Sequence, residues 1–309
     1  MQVLKFGGSS VANAENINKV VSIVQKASQK DKTIVVVSAF GGITDKLLSA
    51  AALAATGDEL YSEQLTLMEK RHLTAVQELM PVAKQSSVLS SVKKQCNEIQ
   101  DICNGIFLLK ELSAATKDRV VAFGELISSQ IISAKFNSDG VENQWIDSRQ
   151  LIITDNNYGN AKVDFEQSNT RIKEYFEKST KNVFILPGFI ASGPSNGTTT
   201  LGRGGSDYTA AIIAAALDAD VLEIWTDVSG IMTADPNQVS TAKIIAHISY
   251  QEAMELSHFG AKVIYPPTMQ PVLKRKIPVK VKNTFAPSDE GTVIDSGAEQ
   301  NGNIIRGIT

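Results

Sequence analysis

The sequence predicts an α/β fold in which a mainly parallel β-sheet is covered on both faces by helices. Short apolar runs at residues 3–6, 34–37, 183–186 and 221–225 alternate with stretches of helical periodicity, the order expected of βαβ units. The run at residues 34–37 is β-branched throughout, as a strand buried on both faces should be. Glycine and polar clusters follow the runs, around Gly7-Gly8-Ser9-Ser10, Ser38 to Gly42, Gly188 to Asp207 and Thr226 to Asp235. In parallel sheets ligands bind beyond the carboxyl ends of the strands, so these distant clusters are expected on one rim.

Residues 3–6 read as the first strand, ending in the Gly7-Gly8 turn. A helix follows, with Ile17, Val20, Val21 and Val24 at helical spacing. The second strand ends at Ser38, with Gly41-Gly42 just beyond. From about Asp45 to Asn137 the pattern is almost wholly helical, with sparse glycine and frequent leucine and alanine, which predicts a helical insertion near residues 45–137. Residues 183–186 form the next strand, followed by Pro187-Gly188-Phe189. The segment 197–220 is rich first in glycine and threonine and then in alanine, and its second half, 208–217, reads as a helix. Residues 221–225 are a strand ending at Thr226-Asp227. Ser249-Tyr250-Gln251-Glu252 is a capping-box pattern that opens a helix stopping near Gly260. Residues 278–283 alternate as a strand. The sequence has no internal repeat.

Thirty basic and 33 acidic residues leave a net charge of −3, which gives no basic footprint for nucleic acid. No apolar run is long enough to cross a bilayer, and the N-terminus lacks the pattern of a secretory signal. Cys96 and Cys103, seven apart in a helical stretch, read as reduced thiols on one helix face. These features lead us to expect a soluble cytoplasmic protein without membrane or nucleic-acid partners.

Two segments carry chemistry. Lys5-Phe6-Gly7-Gly8-Ser9-Ser10 sets a lysine at a strand end before a glycine turn, where exposed amides attract phosphate and the lysine neutralises phosphoryl oxygens. Thr199-Thr200-Leu201-Gly202-Arg203-Gly204-Gly205-Ser206-Asp207-Tyr208 surrounds one arginine with three glycines and opens a helix, and arginine can grip a carboxylate with two parallel hydrogen bonds. The Walker pattern is missing, the dinucleotide fingerprint fails because Asp207 stands where its last glycine should be, and the protein-kinase signatures are absent.

Those two segments, with Trp225-Thr226-Asp227-Val228, Thr233-Ala234-Asp235-Pro236 and Phe259-Gly260-Ala261-Lys262-Val263, come in the order found in aspartate kinases, which the chain resembles over about residues 1–295. Residues 249–262 and Lys282-Asn283-Thr284 look most like the kinase module of bifunctional aspartokinase/homoserine dehydrogenases. The resemblance implies the amino-acid kinase fold, a three-layer αβα sandwich. It also implies transfer of the γ-phosphoryl group of ATP, with Mg²⁺, to the β-carboxylate of L-aspartate. That reaction is the first step toward threonine, lysine and methionine.

The residue roles come from the same resemblance. Lys5 and Lys262 would offset negative charge on the phosphoryl group in flight, with Asp207 orienting them. Arg203 would clamp the α-carboxylate of aspartate, Ser206, Ser38 and Thr44 would line its pocket, and Glu125 would take its α-ammonium. Gly7, Gly8, Ser9, Thr226, Asp227, Met232, Asn237 and Val263 would belong to the ATP side, together with Lys5 and Lys262. The catalytic domain would span residues 1–295, its N-terminal part mainly for aspartate and about 200–290 mainly for ATP. Residues 296–309 would start a truncated C-terminal regulatory module, with homoserine dehydrogenase as a further missing module. A homodimer is expected, and the sequence names no metal ligands.

Two positions depart from the commonest family pattern. Met232 replaces a frequent tyrosine, keeping apolar contact without the hydroxyl. Asn237 replaces a frequent arginine and removes a charge. Rival readings are a kinase of the same fold acting on glutamate, acetylglutamate, carbamate or UMP, and a non-catalytic regulatory subunit. Glu125 favours a substrate with a free amine, and the joint presence of Lys5, Asp207 and Lys262 favours catalysis.

Overall fold

The computed structural model describes residues 1–234, 238–239, 241–259 and 264–297. Asn237, Lys262 and Val263, and the tail from residue 298, lie outside them. The strands are β1 (Gln2–Phe6), β2 (Thr33–Val37), β3 (Gln144–Trp145), β4 (Val183–Pro187), β5 (Ile190–Ser192), β6 (Thr198–Thr200), β7 (Val221–Thr226), β8 (His247–Ser249), β9 (Val279–Asn283) and β10 (Thr292–Asp295). The helices are α1 (Ala14–Ser28), α2 (Ile43–Thr56), α3 (Leu60–Leu79), α4 (Ser86–Leu109), α5 (Ala114–Ser138), α6 (Phe165–Lys178), α7 (Gly205–Ala216), α8 (Tyr250–Phe259) and α9 (Gln270–Arg275).

Eight strands form one sheet in the order β3-β4-β2-β1-β7-β9-β10-β8, parallel except where β10 meets β9, and β5 pairs with β6 as a separate antiparallel hairpin. The expected mainly parallel α/β sheet is therefore present, and α2 to α5 supply the helical insertion.

The two-residue period of β1 sorts its side chains. Leu4 and Phe6 join Val35 and Val37 in a core with α1 to α5. Val3 joins Ile34, Val36 and residues of α6, α7 and α9 on the other face. Three layers result, and Lys5 necessarily points to the face that holds α7. Phe6 pairs with Val37 and Trp225, and Val37 with Pro187, so β2, β4 and β7 end level with β1.

Local details follow the sequence chemistry with some corrections. Ser249 and Glu252 form the reciprocal capping box: the Ser249 N–H donates to Glu252 at 2.8 Å, and the Glu252 N–H donates to the Ser249 hydroxyl at 3.2 Å. Helix α7 starts at Gly205 rather than Tyr208, because its N-cap is Gly204 in a left-handed conformation and no side chain caps it. Cys96 and Cys103 are free and buried, and burial pushes their thiols up to about 12 and about 11, so both remain unreactive at neutral pH. Among the described residues, no helix is long and apolar enough to cross a membrane.

Candidate active site

Beyond the level ends of β1, β2 and β4 lies a small cavity of about 260 Å³. Lys5, Ser38, Thr44, Glu125, Ser206 and Asp207 line it, with Phe189 and the glycines of the Arg203 loop. Six of the eight residues assigned to catalysis or aspartate binding thus converge from four distant stretches of chain.

Each reaches the cavity for a local reason. Lys5 projects toward α7, whose first turn offers Asp207, and the two form an ion pair at 2.6 Å with both side chains nearly buried. A carboxylate in the first turn also suits the positive end of the helix dipole. Helix α7 comes this close because residue 188 has no side chain: a Cβ there would lie 2.6 Å from that of Ser206. Ser38 follows β2, and its carbonyl accepts a hydrogen bond from Ser128 of α5 at 2.8 Å. Thr44 sits in the first turn of α2.

Glu125, on α5, is buried, and its Oε2 has no hydrogen-bond partner among the described residues. Burial pushes its carboxyl up to about 8, against the opposing pull of backbone hydrogen bonds and the Lys5 charge. A buried carboxyl with one oxygen left unpartnered beside a cavity suits a cationic group, because a positive charge delivered there would make its ionisation favourable.

Arg203 is exposed, and its guanidinium lies 5.2 Å from the centre of the Tyr265 ring instead of lining the cavity. Gly202 and Gly204 flank it at φ +73° and +70°, conformations that leave its loop in a shape few other residues would adopt.

The nucleotide-side residues are placed differently. The Gly7 N–H is committed to the Trp225 carbonyl at 3.1 Å, whereas the N–H groups of Gly8 and Ser9 have no hydrogen-bond partner among the described residues. Thr226 and Asp227 end β7, bonded to each other at 3.2 Å, with Asp227 exposed. Met232 lies in a bridge with Ile244, in a short ribbon tied by the Thr233 N–H to the Lys243 carbonyl at 2.9 Å. Ser10, buried, bonds Thr284 at 2.7 Å and fastens the β1 loop to the end of β9.

Sequence reasoning missed Phe189 and Asp118. Phe189 lines the cavity at φ 69°, a strained conformation for a bulky residue that no sequence pattern announces. Buried Asp118 accepts from the Gly159 N–H at 2.9 Å and from the Thr200 N–H and hydroxyl at 2.8 and 3.0 Å, which ties α5 to the strand entering the Arg203 loop. Its place two helical turns before Glu125 on one face of α5 was the only available signal.

The amino acid kinase family matches residues 1–283. The chain belongs to that family. It is 37% identical over 294 residues to bifunctional aspartokinase/homoserine dehydrogenase 1, chloroplastic, of Arabidopsis thaliana, covering 94% of this chain and 32% of that one. It is 33% identical to aspartokinase 1, chloroplastic, of the same plant, covering 99% of this chain and 54% of the relative. Among solved structures it resembles aspartokinase III of E. coli in complex with aspartate and ADP. That match has a TM-score of 0.89 at 33% identity and covers 97% of this chain and 65% of that one. The chain therefore spans about a third of the bifunctional relative and about half of the plant aspartokinase.

Proposed function

We propose that the protein is an ATP-dependent aspartate kinase producing 4-phospho-L-aspartate and ADP. The observation that carries this reading is the meeting of the Lys5–Asp207 ion pair with buried Glu125, whose Oε2 has no hydrogen-bond partner among the described residues, at one small cavity.

The acceptor carboxylate is ionised at neutral pH, with a reference pKa of about 4, and needs no general base. Catalysis then requires alignment and positive charge. Aspartate would enter with its ammonium at Glu125 and its side chain directed toward Lys5, among the hydroxyls of Ser38, Thr44 and Ser206. Arg203 would turn from Tyr265 to the α-carboxylate. The free amides of Gly8 and Ser9 would receive phosphate oxygens, with Thr226, Asp227, Met232, Asn237 and Val263 around the nucleotide. A β-carboxylate oxygen forms a bond to the γ-phosphorus as the bond to the β,γ-bridging oxygen breaks, and ADP departs with that electron pair. Lys5, held by Asp207, stabilises the charge on the transferring group, and Lys262 would act beside it. Mg²⁺, when bound, would neutralise charge at the phosphates, and Asp207 or Asp227 would supply the one or two carboxylates that such an ion takes.

On this reading residues 1–295 would form the catalytic domain, its N-terminal part, with β2, β4 and α5, mainly for aspartate and about residues 200–290 mainly for ATP. Of the rival acceptors, acetylglutamate and UMP lack the free ammonium that Glu125 would meet.

The test is ADP release with aspartate, glutamate, acetylglutamate and UMP offered in parallel, with hydroxylamine trapping the acyl phosphate as a hydroxamate. Aspartate alone should give both signals. Release driven by UMP or acetylglutamate and not by aspartate would overturn the assignment.

A further inference from the structure

We propose that Arg71, on the helical insertion, is a positioning residue for phosphoryl transfer that fixes the spacing of the two glycine loops from behind the cavity. Its rate readout rests on the aspartate kinase reading above, but its geometry does not.

Arg71 lies on α3, and its two terminal nitrogens donate to backbone carbonyls on different loops. Nη1 reaches the Gly41 carbonyl at 2.6 Å and Nη2 the Ala12 carbonyl at 2.7 Å, across 30 and 59 residues of sequence. The guanidinium is half-buried, and burial alone lowers its pKa, with no carboxylate acting on it. Both bonds are charge-assisted and therefore stronger than ordinary amide contacts. The same stretch of α3 grips the second loop again, because the His72 ring stacks on Phe40 at 4.7 Å with a 17° tilt.

The two loops need such a tie. The first, after β1, carries the amides of Gly8 and Ser9, unpaired among the described residues. The second, after β2, carries Ser38 and leads into Thr44. They touch backbone to backbone, since a Cβ on Gly41 would meet the Gly8 carbonyl oxygen at 3.1 Å. Contact stops them from approaching further. What stops them from parting is less obvious: past the Ser38 N–H bond to the Phe6 carbonyl at 3.1 Å, they exchange no backbone hydrogen bond among the described residues. Arg71 supplies that cross-link. One loop would receive the phosphoryl donor and the other would help line the acceptor pocket, so Arg71 sets the distance across which the phosphoryl group moves. This gives the helical insertion a task at the active site although it contributes few residues to the cavity wall.

The experiment uses Arg71→Ala and Arg71→Lys in the full chain. A displacement of about 1 Å between reacting groups costs up to roughly 10²-fold in rate, so Arg71→Ala should lower kcat about 10- to 100-fold while KM for either substrate changes less than about threefold. A solvent-facing cavity of about 300 Å³, lined by Asn13, Lys70, Arg71 and Thr74, adjoins the guanidinium. Added guanidinium chloride, well below denaturing concentration, should therefore restore part of the Arg71→Ala rate and leave the parent protein unaffected. Lysine can satisfy only one of the two carbonyls, so Arg71→Lys should fall in between; it also decides the matter if Arg71→Ala does not fold. Unchanged kcat in a folded variant would overturn the proposal, as would a loss confined to thermal stability. If the parent protein phosphorylates no aspartate, the substrate reading fails separately, and hydrogen exchange decides on Arg71. Faster exchange in peptides covering residues 6–13 and 38–43 of the variant supports the cross-link, and unchanged exchange refutes it.

Discussion

Binding of aspartate should release a proton from Glu125. Burial holds this carboxyl at about 8 in the unliganded protein. At pH 7 about 0.9 of the molecules then carry the proton, and at pH 8.5 about 0.25 do. An ammonium group set against the carboxyl favours the ionised form. Binding should therefore expel about 0.9 proton at pH 7 and about 0.25 at pH 8.5, and the dissociation constant for aspartate should fall about eightfold between those values, an effect of about 1.3 kcal/mol. The sign follows from the shift: a group whose pKa drops on binding loses protons, so affinity rises with pH up to the free-state value. Calorimetric titration in buffers of different ionisation enthalpy measures the proton count as a slope. Glu125→Gln should abolish the release and weaken binding, because the amide keeps the shape without the charge. A slope near zero at pH 7 would mean that Glu125 is already ionised or does not meet the ammonium, and release that persists in Glu125→Gln would assign the proton to another group.

Lys5→Ala should lower kcat by roughly 10²-fold or more with a much smaller change in KM for aspartate, since the lost charge acts mainly on the group in transfer; steady-state kinetics that show an unchanged kcat in a folded variant would reduce Lys5 to a structural ion-pair partner. His72 makes a second pH-dependent expectation. Burial holds its imidazole down to about 4, so the unfolded chain binds the extra proton first as pH falls below about 6.5, and the stability present above that pH is lost toward pH 4. Between pH 7 and pH 5 the loss should be about 2 kcal/mol by urea denaturation, and His72→Phe, which keeps a ring against Phe40, should remove that dependence.

How much of this was legible in the sequence depended on how local each signal was. Strands β1, β2, β4 and β7 were readable because burial on both faces writes a continuous apolar run. Strands β3, β5, β6, β8 and β10 have two to four residues each and leave no pattern longer than chance. The capping box at Ser249 could be read because serine and glutamate announce it, whereas the start of α7 could not, because a left-handed glycine caps it without a side chain. Lys5, Ser206 and Asp207 stand in short glycine-rich motifs that the sequence shows directly, whereas Ser38, Thr44 and Glu125 were assigned through the resemblance to aspartate kinases. Arg71 could not be found that way, because its partners are carbonyl oxygens that every residue possesses. Phe189 escaped for a related reason: its backbone is bent by packing against α7, including the Thr209 hydroxyl that accepts its N–H at 3.0 Å.

The place of β1 near the middle of the sheet has a mechanical consequence. Strands β2 and β4 lie to one side of it and β7 and β9 to the other. If the two sides swing toward each other around bound substrates, β1 is the axle. Atoms on an axle travel least, whereas the lever arms at the sheet edges travel most. Lys5 is mounted on that axle and braced by Asp207, so its charge would hold nearly the same position in open and closed forms while both substrates are carried toward it.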